Sequence, residues 1–307
     1  MAKGTREIRR KIKSTTNTRQ ITKAMELVSA SKMRRAVANT TAMRHYALLA
    51  QTLLRSLAEK AVPELHPLLA KREVKKVLVV VFGTDKGLCG GLNTQMFRKI
   101  SDYIKAEKAK KNPPEISFIA IGKKAQDFLR RSGQTVIAAY SAMSNNITMK
   151  ESLSVSRMIL NEYTAAKYDK VMLIYTDFIS VINQKSTVRR LLPLSQHALE
   201  EMVDGLETKS HRPAVAMDES KALEYKFEPS PDKVLEMLLP RLTEMQIYQA
   251  VLEAAASEHS ARMFAMRNAS DNASEFIADL TLMYNQIRQA SITAELAEIS
   301  AGRAALG

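Results

Sequence analysis

Tryptophan does not occur among the 307 residues, cysteine occurs once, and aromatic residues make up only 6% of the chain. The lone thiol of Cys89 excludes an internal disulfide, and the five histidines have no spacing typical of a metal site. The longest apolar run, Val77 to Phe82, has six residues, whereas a membrane-spanning helix needs about 18 or more. The basic N-terminus is not followed by an apolar signal segment. We therefore expect an intracellular protein with no metal or other cofactor, which meets a membrane only through partner proteins.

Glycine and proline are missing from two long stretches, Thr5 to Val62 and Arg241 to Ala301, one at each end of the chain. Each stretch is long enough for a helix of roughly 90 Å. A compact domain of this size does not need two such helices. We therefore expect both to extend from the globular part and to pair with each other, with a partner, or with both.

The C-terminal stretch carries the clearer pattern, because the positions at alternating steps of three and four residues from Leu235 to Ala301 are apolar at 15 of 20 sites. A stripe kept over so many heptads is typical of a coiled coil. Ser230 as N-cap and Pro231 at the first helical position mark its beginning, and Gly302 marks its end. Pro240 lies within this span and is expected to kink or interrupt the helix.

The N-terminal stretch is predicted to be a helix with a weaker seam. Its apolar residues at helical spacing are Ile8, Ile12, Ile21, Met25, Val28, Val37, Leu49, Leu53 and Leu57. Residues 1–35 contain eleven basic and two acidic residues, a net charge of +9, whereas residues 231–307 contain six basic and ten acidic ones, a net charge of −4. Antiparallel pairing suits this complementarity. The C-terminal helix is longer by about 18 residues, so roughly 25 Å of it should protrude unpaired.

Strand and helix signals alternate between the two ends, which is typical of a small α/β unit. The predicted elements are Val77–Phe82, Asn93–Lys110, Ile116–Ile121, Lys123–Arg131, Lys150–Ala166, Val171–Tyr175 and Ser186–Leu194. The fold class predicted is therefore α/β with dominant α: a long antiparallel coiled coil of the terminal helices plus a small central Rossmann-like domain. We place the N-terminal helix at 1–62, the α/β domain at 75–195, a connection at 196–229 and the C-terminal helix at 230–307.

A glycine-rich turn, Gly83 to Asn93, follows the first predicted strand and opens a helix. Its backbone amides could hold a phosphate, but it matches neither the P-loop nor the dinucleotide fingerprint, and a tight structural turn is the other interpretation. Cys89 within it is either a nucleophile or a small buried thiol. An enzyme would depend on this turn alone. A nucleic-acid-binding function would depend on the basic residues 1–35, which include no aromatic side chain to stack on bases.

Several segments together resemble the γ subunits of F-type ATP synthases, in the same order and over nearly the whole chain. They are Ile21–Arg35, Asp85–Asn93, Ala256–Met263, Thr281–Asn285 and Arg288–Ile299. The chain departs from the family pattern at Arg303 and in Ser195–Glu224. It has no extra cysteine pair of the redox-regulated plant form, so the resemblance is to the bacterial type.

The resemblance implies a non-catalytic rotor stalk that couples proton-driven rotation of the membrane c-ring to conformational change in the catalytic β subunits. It implies a coiled coil inside the ring of α and β subunits, and an α/β domain on the ε subunit and the c-ring, at the cytoplasmic face of the bacterial inner membrane. It implies no catalytic, cofactor-binding or metal-binding residue. The residues implied to face the β subunits are Lys23, Met25, Arg262, Gln289, Thr293 and Glu295.

Overall fold

The computed structural model describes residues 2–58, 66–70, 72–143, 148–194 and 228–306, and the side chains within these ranges apart from those of 2–4, 44–58, 231 and 304–306. The predicted connection 196–229 lies outside the described residues up to position 227. The chain divides into two compact units, one made of Met1–Ala30 and Arg262–Gly307 and the other of Ser31–Ala261. They are called the terminal unit and the sheet unit below.

Five helices and five strands follow one another along the described chain. They are α1 Ala2–Ala58, β1 Lys76–Phe82, α2 Leu92–Lys108, β2 Glu115–Ile121, α3 Lys123–Arg131, β3 Thr135–Tyr140, α4 Met149–Thr164, β4 Lys170–Phe178, β5 Gln184–Leu192 and α5 Pro231–Leu306. Each predicted helix and strand is confirmed with small shifts in its bounds. Strand β3 was missed. Its residues alternate between exposed and half-buried, so it shows only the weak period-two pattern of a strand at a sheet edge.

The sheet unit is built on a five-stranded sheet in the order β3-β2-β1-β4-β5, with β5 antiparallel to β4 and the other pairs parallel. Both faces are covered, which explains the continuous apolar run of β1. Helices α2 and α3 pack on one face, and α4 and the first part of α5 pack on the other. This is the strand order of a Rossmann-like fold, as predicted.

The glycine-rich turn is a hydrogen-bonded joint at the carboxyl ends of β1, β2 and β3. The carboxylate of Asp85 accepts the backbone N–H of Lys123 at 2.9 Å, at the beginning of α3, and that of Ala142 at 3.1 Å. The Asn93 amide donates to Thr84 Oγ1 at 2.9 Å and to the sulfur of buried Cys89 at 3.3 Å. These contacts favour the structural interpretation of the turn, because its side chains tie it to the beginning of α3, to the segment after β3 and to the beginning of α2.

Helix α5 begins as predicted but ends later. Ser230 Oγ accepts the N–H of Lys233 at 3.3 Å, which is an N-cap. The helix is not interrupted at Pro240, because the neighbouring Leu239 and Leu242 are buried in the core and hold the turn in place. The predicted end at Gly302 is wrong, since the helix continues to Leu306. A single helical glycine costs only about 1 kcal/mol, and the alanines that follow favour the helix.

The terminal unit forms the predicted coiled coil, but polar residues of α1 occupy part of its seam. Ile21 and Val28, predicted to lie in the seam, are 61% and 54% exposed, whereas Thr22, Glu26 and Ser29 are buried. The prediction for α1 is therefore wrong at Ile21 and Val28, whereas Ile8 is buried and Ile12, Met25 and Val37 are half-buried; Leu49, Leu53 and Leu57 lie outside the described side chains. Hydrophobicity misplaced these two residues because polar groups occupy part of the contact.

The seam predicted for α5 is confirmed in the terminal unit. Met266, Ser270, Ala273 and Leu280 are buried, and all four are positions of the predicted seam. Small side chains on both helices, such as Ser29 and Ser270, allow a close approach. Residues 295–303 are exposed throughout, so the seam does not extend to the predicted Glu298 and Ala301.

Replacement of Gly122 by alanine tests the joint between the ends of β1 and β2. A Cβ at Gly122 would lie 2.5 Å from the carbonyl oxygen of Gly83, and the residue has φ +93. We expect Gly122→Ala to lower the free energy of unfolding of the sheet unit by about 2 kcal/mol or more. Gly87→Ala is the matched control, because nothing lies within 4 Å of its Cβ position. Equal chemical-denaturation midpoints for the two variants would contradict the close approach.

Candidate interaction surface on the terminal helices

The described residues contain neither a group of three or more His, Cys, Asp and Glu side chains that could hold a metal ion nor a helix long and apolar enough to cross a membrane. The six residues predicted to contact a partner all lie in the terminal unit. Lys23 and Met25 are on α1, and Arg262, Gln289, Thr293 and Glu295 are on α5. The surface of this unit is therefore the candidate site.

Lys23 and Met25 do not share a face of α1. Two residues apart on a helix, they are separated by about 200° of rotation. Lys23 is exposed and Met25 is half-buried. The ammonium of Lys23 lies 3.0 Å from the carboxylate of Glu26, and the guanidinium of Arg267 on α5 approaches the same carboxylate at 3.5 Å. Glu26 is only 7% exposed, so this three-residue network neutralises a buried charge in the seam.

Arg262 is the most buried of the six, with 9% of its surface exposed. It lies at the beginning of the C-terminal segment of the terminal unit, and little of its surface is accessible to a partner. A sequence pattern alone could not have distinguished this arginine from the more exposed Arg267, because both fall in the same polar stretch of α5.

Gln289 and Thr293 come together near the end of α5. Both are exposed, and at a spacing of four residues they lie on one face. Glu295 lies about 120° away from Gln289 around the helix. Its carboxylate faces the hydroxyl of Ser291, which donates to it at 3.5 Å. The structure thus groups two of the three tip residues and separates the third.

Three exposed apolar residues beside this pair were missed by the sequence interpretation. Ile292, Leu296 and Ile299 are 49%, 60% and 68% exposed and follow one another at steps of four and three residues. Leu296 lies close to the line from Gln289 to Thr293 around the helix. The spacing of these three residues, out of register with the seam, was the signal that could have found them. With Gln289 and Thr293 they form what is called the tip surface below.

The exposed face of α1 combines positive charge with apolar side chains. Its exposed basic residues include Arg6, Arg9, Arg10, Lys11, Lys13, Arg19 and Lys23, and Ile21, Leu27 and Val28 are more than half exposed. On α5, Phe276, Leu282 and Met283 are exposed to a similar extent. Exposed apolar residues in such number are typical of a surface that binds a protein partner. The added positive charge suits a partner that carries acidic groups.

Comparisons with known proteins agree in one family. A family model described as ATP synthase matches residues 4–306. The ATP synthase gamma chain of Roseiflexus sp. (strain RS-1) is 43% identical over 304 residues, with 98% of each chain covered. That of Cupriavidus necator is 42% identical over 304 residues, with 99% of each covered.

Solved structures with a similar fold come from mitochondrial complexes. A chain of the Euglena gracilis mitochondrial ATP synthase, OSCP/F1/c-ring, has a TM-score of 0.65 at 20% identity, with 100% of this chain and 95% of that chain covered. A chain of the Tetrahymena thermophila mitochondrial ATP synthase, central stalk/c-ring, has a TM-score of 0.59 at 23% identity, with 81% and 99% covered. At these identities the likeness shows the fold.

Charge reversal at Glu26 tests the polar network of the seam. Glu26→Lys places a third cation between Lys23 and Arg267, and we expect the paired helices to lose about 1 to 2 kcal/mol, since both partners are more than half exposed and screened by solvent. Glu26→Met, which removes the buried charge, should be neutral or stabilising. Limited proteolysis of the full chain at low and high salt measures both variants. Cleavage of Glu26→Lys at the rate of the unmodified chain would contradict the network.

Proposed function

This chain belongs to the family of ATP synthase gamma chains, and from that premise we propose that it is the central stalk of a rotary ATP synthase. In this proposal it couples rotation of a proton-driven membrane c-ring to conformational change in the catalytic β subunits, in both synthesis and hydrolysis of ATP. The proposal rests on one observation: the paired helices of the terminal unit expose basic and apolar side chains together.

The terminal unit is suited to act inside a ring of subunits. A subunit responds to the stalk only through contacts that differ between its conformations. The exposed surface supplies such differences, because it presents cationic positions on α1, apolar positions on both helices and the amide and hydroxyl of the tip surface at different places along the two helices. As the pair turns, each surrounding β subunit would meet these chemistries in succession.

In this proposal the α and β subunits surround the terminal unit, and the sheet unit sits on the ε subunit and the c-ring. The location is the cytoplasmic face of a bacterial inner membrane, to which the chain is attached through its partners. The contacts proposed with the β subunits are Lys23, Met25, Arg262, Gln289, Thr293 and Glu295, to which the tip surface adds Ile292, Leu296 and Ile299. The division into terminal helices, α/β domain and connection retains its predicted boundaries in this proposal.

The nucleotide chemistry is assigned to the ring and not to this chain. The one enzyme-like element, the glycine-rich turn, carries the Asp85 carboxylate, whose negative charge opposes phosphate binding there. Nucleic acid is a poorer partner than a protein ring for the basic face of α1, since Ile21, Leu27 and Val28 are interspersed with the basic residues and gain nothing from phosphate contacts.

Calorimetric titration tests the non-catalytic role. We expect no heat of binding when Mg–ATP, ADP or NAD is added to the purified chain, because the Asp85 carboxylate lies in the turn after β1 and its negative charge repels a phosphate. The complete complex serves as the positive control. Saturable binding to the isolated chain, lost in an Asp85→Glu variant that lengthens the side chain in the turn, would contradict this assignment.

Replacement of the polar pair of the tip surface tests the stalk function. We expect Gln289→Val with Thr293→Val to reduce ATP hydrolysis by the reconstituted complex by about tenfold, as loss of one or two buried interfacial hydrogen bonds would do. Thr94→Val with Gln95→Val on α2 is the matched control, since both residues are exposed on a helix of the sheet unit. Unchanged turnover and coupling in the tip variant would remove Gln289 and Thr293 from the site.

A further inference from the structure

Two buried serines of α5 hydrogen-bond to strand β4 and to the β4–β5 hairpin. The hydroxyl of Ser260 donates to the carbonyl oxygen of Val181 at 2.5 Å and accepts from the side-chain amide of Gln184 at 3.3 Å. Ser257, almost one turn earlier, donates to the carbonyl oxygen of Thr176 at 3.0 Å. Both serines have 0% of their surface exposed. All of these contacts lie within the sheet unit.

The hairpin end is itself closed by hydrogen bonds. The backbone N–H of Ser180 donates to the carbonyl of Asn183 at 2.9 Å, and that of Asn183 donates back at 3.2 Å. The amide of Gln184 also donates to the carbonyl of Val181 at 2.8 Å. The segment that contacts Ser260 is therefore a tight turn. A force on β4 or β5 is transmitted to Ser260 because no flexible loop lies between them.

The serines continue a polar line along one face of α5. Glu253 precedes Ser257 by four residues and Gln249 precedes Glu253 by four, so the four side chains share a face. The Gln249 amide donates to the Glu253 carboxylate at 2.9 Å. Burial and the nearby Glu253 carboxylate raise the pKa of Tyr175 on β4, so this phenol stays neutral as it packs on the line.

Directional bonds at this face have a mechanical effect that the surrounding apolar contacts lack. Apolar contact is proportional to buried area and is non-directional, so a small rotation of the helix about its axis weakens it less than it weakens a hydrogen bond. A hydrogen bond weakens steeply when its angle or distance changes. Because Ser257 and Ser260 are fully buried, water cannot replace a bond that is broken when α5 turns against β4.

We propose that Ser257 and Ser260 are positioning residues that lock α5 to β4 and the β4–β5 hairpin, so that a twisting force on the sheet reaches α5 through these hydrogen bonds. The proposal rests on the proposed stalk function, in which rotation enters through the sheet unit. It adds the residues at which torque passes from the sheet to the helix.

The test uses the complete complex in sealed vesicles, with Ser257→Ala and Ser260→Ala combined in this chain. ATP hydrolysis with an uncoupler present reports rotation without load, and the steady-state proton gradient without uncoupler reports rotation against load. We expect hydrolysis under the uncoupler to be unchanged and the gradient to fall about twofold or more, because three directional bonds are lost. Ser154→Ala is the matched control, since its exposed hydroxyl bonds within α4.

Every outcome of this comparison decides the proposal. An undiminished gradient in the double variant overturns it, and so does an equal fall in the gradient and in uncoupled hydrolysis, which indicates poor assembly and a structural role alone. If the double variant does not assemble, Gln184→Ala decides in its place, because it removes one bond to Ser260 from the half-buried hairpin side. Failure of the unmodified chain to couple a complex that lacks its gamma chain would instead overturn the stalk function.

Discussion

Burial of the first part of α5 against the open face of the sheet is the constraint on which the sheet unit depends. From Leu242 to Ser260 every residue of this helix is buried or half-buried, and Leu235, Leu239 and Leu242 join the same core as β1, β4 and α4. A parallel sheet needs a helix layer on each face. The chain has only α4 to offer there from within the α/β region, so α5 completes the second layer. The helix that continues into the terminal unit is thus also a wall of the domain.

The terminal unit follows a different principle from the sheet unit. Its seam contains Thr22, Glu26, Ser29 and Ser270 where an ordinary coiled coil would place leucine or isoleucine. Apolar side chains such as Ile21 and Leu296 face outward instead. The two helices therefore bury less apolar surface against each other than an ordinary coiled coil does, and part of their apolar surface remains accessible to a partner. The exposed apolar side chains of such a pair need a surrounding protein to cover them, in agreement with a stalk held inside a ring of larger subunits.

The fold was readable from the sequence where patterns were strong. The apolar run of β1, the seam of α5 and the cap at Ser230 each had a single physical solution. Strand β3 was missed because an edge strand alternates only weakly. Ile21 and Val28 were wrongly placed in the seam of α1 because hydrophobicity cannot show that Glu26 is buried with two basic partners. The six candidate site residues came from a family resemblance. The apolar part of the tip surface had a visible spacing that was not used, and the bonds of Ser257 and Ser260 join residues about 80 positions apart, which no local pattern reveals.

The Asp85 joint shows how a fold that often binds nucleotides can instead serve a protein that transmits force. Its carboxylate lies at the carboxyl ends of β1, β2 and β3, at the end of the sheet where doubly wound folds usually receive ligands. The Asp85 side chain brings its own negative charge to this position and ties the turn after β1 to α3 and to the segment after β3. The end of the sheet that binds a coenzyme in many enzymes is held together here by hydrogen bonds. A domain stiffened in this way deforms less when it transmits a force.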